Sequence, residues 1–372
     1  MRTRAAVMRA LNQPLSVEEI VLDPPKQGEV LVRMVAAGVC GSDLHFLSGH
    51  RRARLPVVRG HEGAGVVEAV GPGVSNVAVG DHVIQTFVAS CRRCAQCRRG
   101  RLTHCVNGLG ITDGTLLDGT YRMHGAAGED IGTGSRLAAF SAWSVIPEYN
   151  LIAVPHDIPL EVAALVSCGV STGVGAALNV AHVRPGDSVV VFGVGGVGIA
   201  AIQGAVLGGA AEVIAVDVNE RKRTFSRQFG ATRFVNPRDG DVLEAIRKLT
   251  DGFGADKAIL TIDHVLPEHL TLAIDAIGPG GVAVLVGAAD MELDHIPVHP
   301  ALMMRSQKTF ATTMAGGMNP PEDALRYLDL YRAGRLKLDD FVTRTYSLDE
   351  INLAVEDLKA GRNVRGVIVY DR

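Results

Sequence analysis

The sequence lacks a strong charge of either sign. Its 37 Lys and Arg residues against 40 Asp and Glu residues leave a formal net charge of −3 over 372 residues. A protein that binds nucleic acid or an anionic membrane through electrostatics needs a basic excess, so this balance provides no footprint for either partner. The sequence also contains no internal repeat at solenoid spacing and no low-complexity segment, and its 47% hydrophobic content is that of a globular protein.

An uninterrupted apolar run is missing as well. Near the N-terminus Arg9 breaks the apolar stretch, so we expect no signal-peptide core there. Residues 189–211 are long enough to cross a bilayer and have Gln203 as their single polar side chain, but glycines interrupt them, and Asp187 and Glu212 flank them. This pattern favours a buried strand, a tight turn and a buried helix over a membrane span.

The length of the chain predicts two domains. Residues 1–170 consist mainly of short apolar runs separated by turn signals, which indicates β structure. From about residue 170, apolar strand-length runs alternate with helix-like segments, as in βαβ units with a parallel sheet. The tail from about residue 313 predicts two helices, at 321–333 and 348–360, and a closing strand at 366–370. We therefore predict an α/β protein that combines a mainly-β domain with a doubly wound parallel sheet.

The six cysteines divide into two metal-ligand patterns without remainder. Four of them form a C-x2-C-x2-C-x7-C run: Cys91, Cys94, Cys97 and Cys105. Four thiolates this close in sequence can surround one tetrahedral Zn²⁺ with no open position, which is a structural site. Disulfide bridges or a redox CxxC pair explain the run less well. The interleaved arginines keep a nucleic-acid-binding zinc ribbon open, although a solvated or subunit-facing lobe is the favoured interpretation.

The remaining cysteines, Cys40 and Cys168, lie far apart, with His61 between them in the sequence. Two thiolates and one imidazole leave a fourth zinc position for water or substrate, as catalytic zinc requires. Each residue alone could be an ordinary core residue. The acidic neighbours Asp43 and Glu62 favour a site, and Asp43 suits the role of a carboxylate that orients the ligating histidine. Reduced, metal-binding thiols favour a cytoplasmic location.

A dinucleotide-binding motif follows the apolar run at 189–192. The motif is a GxGxxG turn that opens a helix: Gly193, Gly195, Gly196, Val197 and Gly198. Its glycines permit the turn, the approach of a pyrophosphate and close helix–strand packing. Asp217 ends the next apolar run and is expected to bind the adenosine ribose, so NAD is favoured over NADP. Two alternatives remain: Asp217 could cap a helix near Asn219, and the basic residues 221–223 could accommodate a 2′-phosphate.

With these residues in place, the chain resembles the zinc-dependent alcohol dehydrogenases of the medium-chain dehydrogenase/reductase superfamily over essentially its whole length. The motifs that carry the resemblance are Gly38-Val39-Cys40-Gly41-Ser42-Asp43, Gly60-His61-Glu62-Gly63-Ala64-Gly65, the four-cysteine run, the segment at 167–173 and the GVGGVG turn. Among the branches, the chain is similar to the longer alcohol dehydrogenases, which include glutathione-dependent formaldehyde dehydrogenases and actinobacterial-type enzymes assayed with an artificial electron acceptor.

The resemblance implies a GroES-like catalytic domain at 1–169 and 313–372, with a structural zinc lobe at 88–110. It also implies a Rossmann domain at 170–312 and a substrate cleft between the two. Each subunit would hold two Zn²⁺ ions, one catalytic and one structural, together with NAD. A strand near 282–286 would pair across a two-fold axis, so a homodimer is expected, with a tetramer as the alternative. No nucleic-acid or membrane partner is expected.

Residue roles follow from the matching motifs. The implied ligands of catalytic zinc are Cys40, His61 and Cys168, with Glu62 as a transient ligand behind the metal. Ser42 resembles the hydroxyl that bonds the substrate oxygen, and His45 the outer end of a proton relay. Other carried-over positions are Lys222 on the ribose, Arg365 on the pyrophosphate and Phe87 as an aromatic wall of the substrate pocket.

The expected reaction is reversible hydride transfer between an alcohol and NAD⁺, giving an aldehyde or ketone. Two departures from the family pattern bear on the substrate: Gly41 removes one pyrophosphate contact, and the basic loop 50–54 stands where formaldehyde dehydrogenases carry an acidic residue. That loop is expected to be a solvated rim, with an anionic substrate as the alternative. An S-(hydroxymethyl)thiol or polyol dehydrogenase and a non-catalytic NAD-binding scaffold are the rival functions.

Overall fold

A computed structural model describes residues 1–108, 113–289, 293 and 295–371. The last two residues of the zinc lobe expected at 88–110 fall outside this description. The chain forms two compact units, Met1–Cys168 with Asn319–Arg372, and Gly169–Met318. The return to the first unit comes at Asn319 rather than at the expected residue 313. The reason is close packing: a Cβ on Gly316 would lie 2.6 Å from the carbonyl oxygens of Ser171 and Thr172, so this segment belongs with the second unit.

The first unit contains a small closed barrel and a larger mixed sheet. The barrel strands, in order of pairing, are Arg2–Met8, Ser16–Leu22, Met123–His124, Asp130–Thr133 and Val57–Val58. The larger sheet runs in the order Leu151–Ala153, His82–Gln85, Glu62–Val70, Glu29–Val39, Arg365–Val369 and Val342–Tyr346, and Trp143–Pro147 also pairs with Glu29–Val39. Pairing in this sheet is antiparallel except between its last two strands.

Five α-helices belong to the described part of this unit, and one of them, Ala95–Arg98, lies within the four-cysteine segment. Their bounds are Gly41–Leu47, Ala95–Arg98, Leu160–Val166, Pro320–Arg332 and Ile351–Lys359. The core combines alternate side chains of Glu29–Val39 with residues of the barrel and of Ile351–Lys359, all almost fully buried. The central strand Glu29–Val39 thus has a neighbour on each edge and a packed face, which gives a rigid base for the residues that follow it.

The second unit is built on a parallel sheet. Its strand order is Arg233–Val235, Glu212–Val216, Ser188–Phe192, Ala255–Leu260, Ile277–Leu285 and Thr309–Thr312, and these neighbours pair in parallel. The doubly wound arrangement predicted from the sequence is confirmed. The predicted two-fold pairing of residues 282–286 is wrong, because Ile277–Leu285 is hydrogen-bonded on both edges and offers no free edge to a second chain.

Helices connect the strands of the second unit. They span Gly169–Gly175, Ala176–Val180 (a π-helical turn), Gly196–Leu207, Lys222–Gln228, Val242–Leu249, Pro267–Ala276 and Pro300–Ser306. The apolar run at 189–211 is therefore a buried strand, a glycine turn and a largely buried helix, as predicted. Among the described residues, no single helix has the length and apolar character of a membrane span, and only the adjoining short helices Leu160–Val166 and Gly169–Val180 reach those values when taken together.

Candidate active site

The first part of the site is the start of the helix Gly41–Leu47. The strand Glu29–Val39 ends at Val39, and Cys40 is the extended residue that precedes the helix, with φ −109° and ψ 151°. The Asp43 carboxylate accepts the backbone N–H of Cys40 at 3.2 Å, and the N–H of Asp43 donates to the Cys40 carbonyl at 3.0 Å. These reciprocal bonds are those of a helix cap, and they fix the direction of the Cys40 side chain.

The second part is the turn before the strand Glu62–Val70. Gly60 has φ +90°, a conformation that favours glycine, and a Cβ there would lie 2.7 Å from the backbone nitrogen of Phe140. This turn directs His61 towards the Gly41–Leu47 helix. The Nδ1 of His61 lies 3.3 Å from Asp43 Oδ1, and its Nε2 lies 3.1 Å from Ser42 Oγ. One carboxylate therefore both caps the helix and orients the imidazole, so that Nε2 is the ring nitrogen left for a metal.

The sulfurs of Cys40 and Cys168 meet this imidazole. Ligand atoms of Cys40, His61, Glu62 and Cys168 all lie within 4.8 Å of one another, and all four residues are buried. They come from three segments that are remote in the sequence. Two sulfurs and one nitrogen form a donor set that suits Zn²⁺, and a carboxylate beside them matches a site whose fourth position is exchangeable.

Burial and mutual contacts shift the pKa values of this group in different directions, and the hydrogen bond with Cys40 raises the pKa of Cys168 well above its ordinary value. A hydrogen bond from Cys168, opposed by burial and assisted by the positive charge of Arg365, holds the pKa of Cys40 well below its ordinary value. Burial opposes protonation of His61, but Asp43 and then Cys40 outweigh it and raise the pKa of His61 to about 10. Burial raises the pKa of Glu62 to about 7, with Arg365 opposing the shift. A dication at this point would satisfy both the thiolates and the carboxylate.

Arg365 lies behind Glu62 rather than in open solvent. Its Nη1 is 3.3 Å from Glu62 Oε1 and donates to the Val39 carbonyl at 3.3 Å, and its side chain is 4% exposed. Burial opposes its charge, but Glu62 and Cys40 raise the pKa of Arg365. The sequence suggested only a pyrophosphate contact for this arginine. The sequence did not predict its contact with Glu62, because 303 positions separate the two residues and neither segment contains a motif that indicates the pairing.

Two other predicted residues of the first unit are Phe87 and His45. Phe87 contacts the His61 ring edge-to-face, with centroids 5.7 Å apart. His45, one turn after Ser42 on the helix, is 8% exposed, and its ring centroid lies 6.1 Å from that of the exposed His50. The predicted ligands, hydroxyl and aromatic wall thus come together.

A second cluster is formed by the four remaining cysteines. The ligand atoms of Cys91, Cys94, Cys97 and Cys105 lie within 4.8 Å of one another. Backbone N–H groups donate to the sulfurs within this segment: Cys91 to Cys105, Cys94 to Cys91 and Cys97 to Cys94, at 3.3–3.5 Å. Such N–H···S bonds stabilise thiolates, and the equal set of four sulfurs suits a closed tetrahedral Zn²⁺ site.

The thiols of this cluster have unequal pKa values. The backbone N–H of Cys97 is the main cause that lowers the pKa of Cys94 to about 6. Burial, together with the bond to Cys94, raises the pKa of Cys97 to about 12. Four thiolates without a cation are therefore not all formed near neutral pH, and metal binding here releases protons.

The glycine turn of the second unit has the form expected for a dinucleotide site. Gly193 has φ +90°, and a Cβ on Gly198 would lie 1.9 Å from the Gly193 carbonyl oxygen, so packing within the turn requires glycine there. A Cβ on Gly195 would meet open space. Packing therefore does not require glycine at position 195. This residue lies immediately before the N-terminus of the 12-residue helix Gly196–Leu207, with open space beside it. An approaching pyrophosphate fits both observations.

Asp217 follows the adjacent strand Glu212–Val216. Its carboxylate accepts the N–H of Val194 at 2.8 Å, the N–H of Asn219 at 2.8 Å and the Lys222 ammonium at 3.0 Å. The next helix, Lys222–Gln228, begins after Arg221, so Asp217 is not its cap. The carboxylate instead joins the glycine turn to the following loop, at the carboxyl end of the strands, where nucleotides bind in doubly wound sheets.

Comparisons with known proteins agree with this geometry. Residues 26–156 match the alcohol dehydrogenase GroES-like domain, and residues 196–331 match the zinc-binding dehydrogenase family. An NDMA-dependent alcohol dehydrogenase from Amycolatopsis methanolica is 43% identical over 370 residues, covering 100% of this chain and 99% of the relative. The chain belongs to the zinc-dependent alcohol dehydrogenases of the medium-chain dehydrogenase/reductase superfamily.

Two further relatives place this alcohol dehydrogenase chain in the same family. S-(hydroxymethyl)glutathione dehydrogenase from Saccharomyces cerevisiae is 38% identical, covering 99% of this chain and 96% of the relative. The crystal structure of benzyl alcohol dehydrogenase from Acinetobacter calcoaceticus superposes with a TM-score of 0.93 at 30% identity and covers 100% of both chains. The two units are thus a GroES-like unit and a zinc-binding dehydrogenase unit of the Rossmann type, and the protein is an oxidoreductase that acts on alcohols.

Proposed function

We propose that the protein uses one catalytic zinc and NAD to interconvert alcohols with aldehydes or ketones. The observation that carries this proposal is the convergence of Cys40, His61 and Cys168 on one point beside Glu62. A scaffold that merely binds a nucleotide has no need of such a donor set. A second, structural zinc would be held by the four-cysteine cluster.

Zinc in the open site would supply Lewis acidity that polarises the substrate oxygen and makes its hydroxyl proton easier to lose. Asp43 would keep the His61 ring turned so that Nε2 faces the metal position. Ser42 Oγ, 3.1 Å from that nitrogen, is placed to accept the hydroxyl proton of the substrate. His45 would pass this proton outwards, and Phe87 would limit the position of the reacting carbon.

NAD would supply the hydride acceptor. The glycine turn and the free N–H groups of the helix Gly196–Leu207 support binding of its diphosphate. The Asp217 carboxylate supports ribose recognition and would repel a 2′-phosphate, with Lys222 beside it. Arg365 stays a predicted cofactor contact, and its pairing with Glu62 gives it a second role in holding that carboxylate.

The test is the rate of NADH formation with a panel of primary alcohols, measured with NAD and with NADP alongside the zinc content. We expect turnover with NAD, a lower kcat/KM with NADP and two zinc ions per chain. A protein that binds NAD but oxidises none of the alcohols would be a scaffold. A strong preference for NADP would contradict the role of Asp217.

A further inference from the structure

Arg59 is a buried cation immediately before the turn that carries His61. Its side chain follows the short strand Val57–Val58, and the residue is only 7% exposed. The guanidinium carbon lies 3.4 Å from the centroid of the Phe46 ring. On another side the Arg59 Nη1 is so close to Gly134 that a Cβ there would approach it to 2.8 Å. The side chain is therefore held in one position by an aromatic face and a glycine backbone.

This guanidinium lacks an acceptor. Within the described part of the chain, no hydrogen bond or ion pair is formed by the side chain of Arg59, and its Nε is enclosed without a partner. A guanidinium has five N–H donors, and burial of an ion without a partner is unfavourable. Stacking on one phenyl ring offsets only part of that cost. Burial accordingly lowers the pKa of Arg59 to about 10, with Asp43 opposing the shift.

The charged groups near Arg59 do not supply the missing acceptor. Asp43 acts on it electrostatically, but within the described residues no hydrogen bond or ion pair joins the two side chains: Asp43 Oδ2 accepts the Cys40 N–H, and Asp43 Oδ1 lies 3.3 Å from His61 Nδ1. The other charge that acts on Arg59 is Arg51, an exposed cation of the basic loop, which adds to the positive potential. A buried arginine and an exposed arginine thus lie close enough to act on each other electrostatically.

We propose that Arg59 binds the carboxylate of an alcohol substrate, with Arg51 at the entrance. The planar guanidinium presents paired donors that match a carboxylate, and enclosure strengthens such bonds. Two observations point to a substrate rather than to a free anion: Arg59 precedes His61 by two residues, and Phe46, on which it stacks, lies on the helix that carries Ser42 and His45. This proposal rests on the proposed function and narrows its substrate class to alcohols that carry a carboxylate at a distance from the hydroxyl.

The experiment compares 6-hydroxyhexanoate with 1-hexanol, which have the same chain length. Wild-type zinc-loaded enzyme should show a higher kcat/KM for the hydroxy acid. Arg59→Met, which keeps the length but not the charge, should lower that value at least about tenfold and change kcat/KM for 1-hexanol less than about threefold. Arg54→Met is the matched control. Arg54 is an exposed arginine of the basic loop 50–54, and its guanidinium stacks on the Tyr121 ring at 4.8 Å. This variant should oxidise both substrates as wild type does.

Two further measurements keep the result interpretable. Arg59→Lys and Arg51→Gln test the site if Arg59→Met does not fold, and both should reduce the preference for the hydroxy acid. Hexanoate binding, measured by calorimetry on zinc-loaded protein, should weaken in Arg59→Lys but not in Arg54→Met, whether or not any alcohol is oxidised.

If wild type oxidises alcohols without favouring the hydroxy acid, the inference is wrong although the proposed function stands. Equal losses on both substrates, or tight binding of inorganic phosphate with none of hexanoate, would also overturn it. An enzyme that binds hexanoate at Arg59 but oxidises no alcohol would contradict the proposed function alone.

Discussion

The two cysteine sites of this protein are built in opposite ways. The four-cysteine cluster comes from 15 consecutive positions, its sulfurs accept N–H bonds from its own backbone, and two of its cysteines are partly exposed. The open site gathers Cys40, His61 and Cys168 from three distant segments and buries them beside two carboxylates and an arginine. Local backbone geometry makes the first site, whereas the packed sheet makes the second.

This difference teaches what each site can do. Four equal sulfurs would leave a bound metal no open position, so the role expected for the cluster is to hold the lobe together. The open site places a hydroxyl, Ser42, 3.1 Å from a ligand nitrogen, and the Asp43 and Glu62 carboxylates lie beside the ligand residues. Burial also makes every charge in the open site count for more, because the surroundings screen it poorly. Four changes test this contrast.

The largest effect is expected for Cys40→Ser. In the proposed mechanism, loss of one thiolate would remove a polarising metal that supplies several kcal/mol of barrier lowering, so kcat should fall at least about a hundredfold. Zinc content should drop from two to one per chain while the unfolding midpoint changes little. Metal analysis, steady-state kinetics and thermal unfolding on the same sample measure all three. Near-normal activity without zinc in the open site would remove the basis of the proposed mechanism.

Cys94→Ser should give the reverse result. The lobe loses its closed donor set, and the loss of a structural metal is among the changes that destabilise most. We expect the midpoint of thermal unfolding to fall by more than about 5 °C. In the fraction that stays folded, KM should remain close to wild type. If this variant loses turnover without losing stability, the lobe has a catalytic role and the contrast between the sites fails.

Asp43→Asn should weaken the open site alone. The amide still caps the helix at Cys40 but no longer orients His61 as a charged partner, and loss of such a partner costs about 10- to 100-fold in metal affinity or activity. Chelator competition measures this affinity. Asp23→Asn is the matched control, since Asp23 contacts His124 at 3.2 Å on the surface. An equal effect of both substitutions would show that the contact between Asp43 and His61 is not special.

The smallest effect is a difference in pH dependence. In the metal-free protein Asp43 and Cys40, working against burial, raise the pKa of His61 to about 10. This raised pKa stabilises the folded metal-free protein fully below about pH 6.5, and that stabilisation is lost as the pH rises through about 10. Zinc must displace the His61 proton near neutral pH, so affinity at the open site should increase between about pH 7 and pH 9. Chelator titrations of wild type and of Cys40→Ser, which keeps only the four-cysteine cluster, separate the pH dependence of zinc affinity at the open site from that at the cluster. Affinity in the open site that is flat over this range would contradict the prediction.

The sequence by itself determined the local features of this protein. Three features depend on residues close together in the sequence: the cysteine run, the GxGxxG turn with Asp217, and the alternation of strands and helices. The structure contains the corresponding cluster, turn and parallel sheet. Motif spacing sufficed because backbone geometry alone brings such residues together.

Only the tertiary structure decided the remaining features. The pairing of Arg365 with Glu62, the acceptor-free burial of Arg59, the return of the chain at Asn319 and the interior position of Ile277–Leu285 depend on which distant segments pack side by side. Burial and hydrogen-bond partners are properties of the packed chain, since they depend on what surrounds a group and not on its neighbours in sequence. For that reason the sequence could name Arg365 and the basic loop, but it could not show that Arg365 is paired with Glu62 while, among the described residues, the side chain of Arg59 is buried without an acceptor.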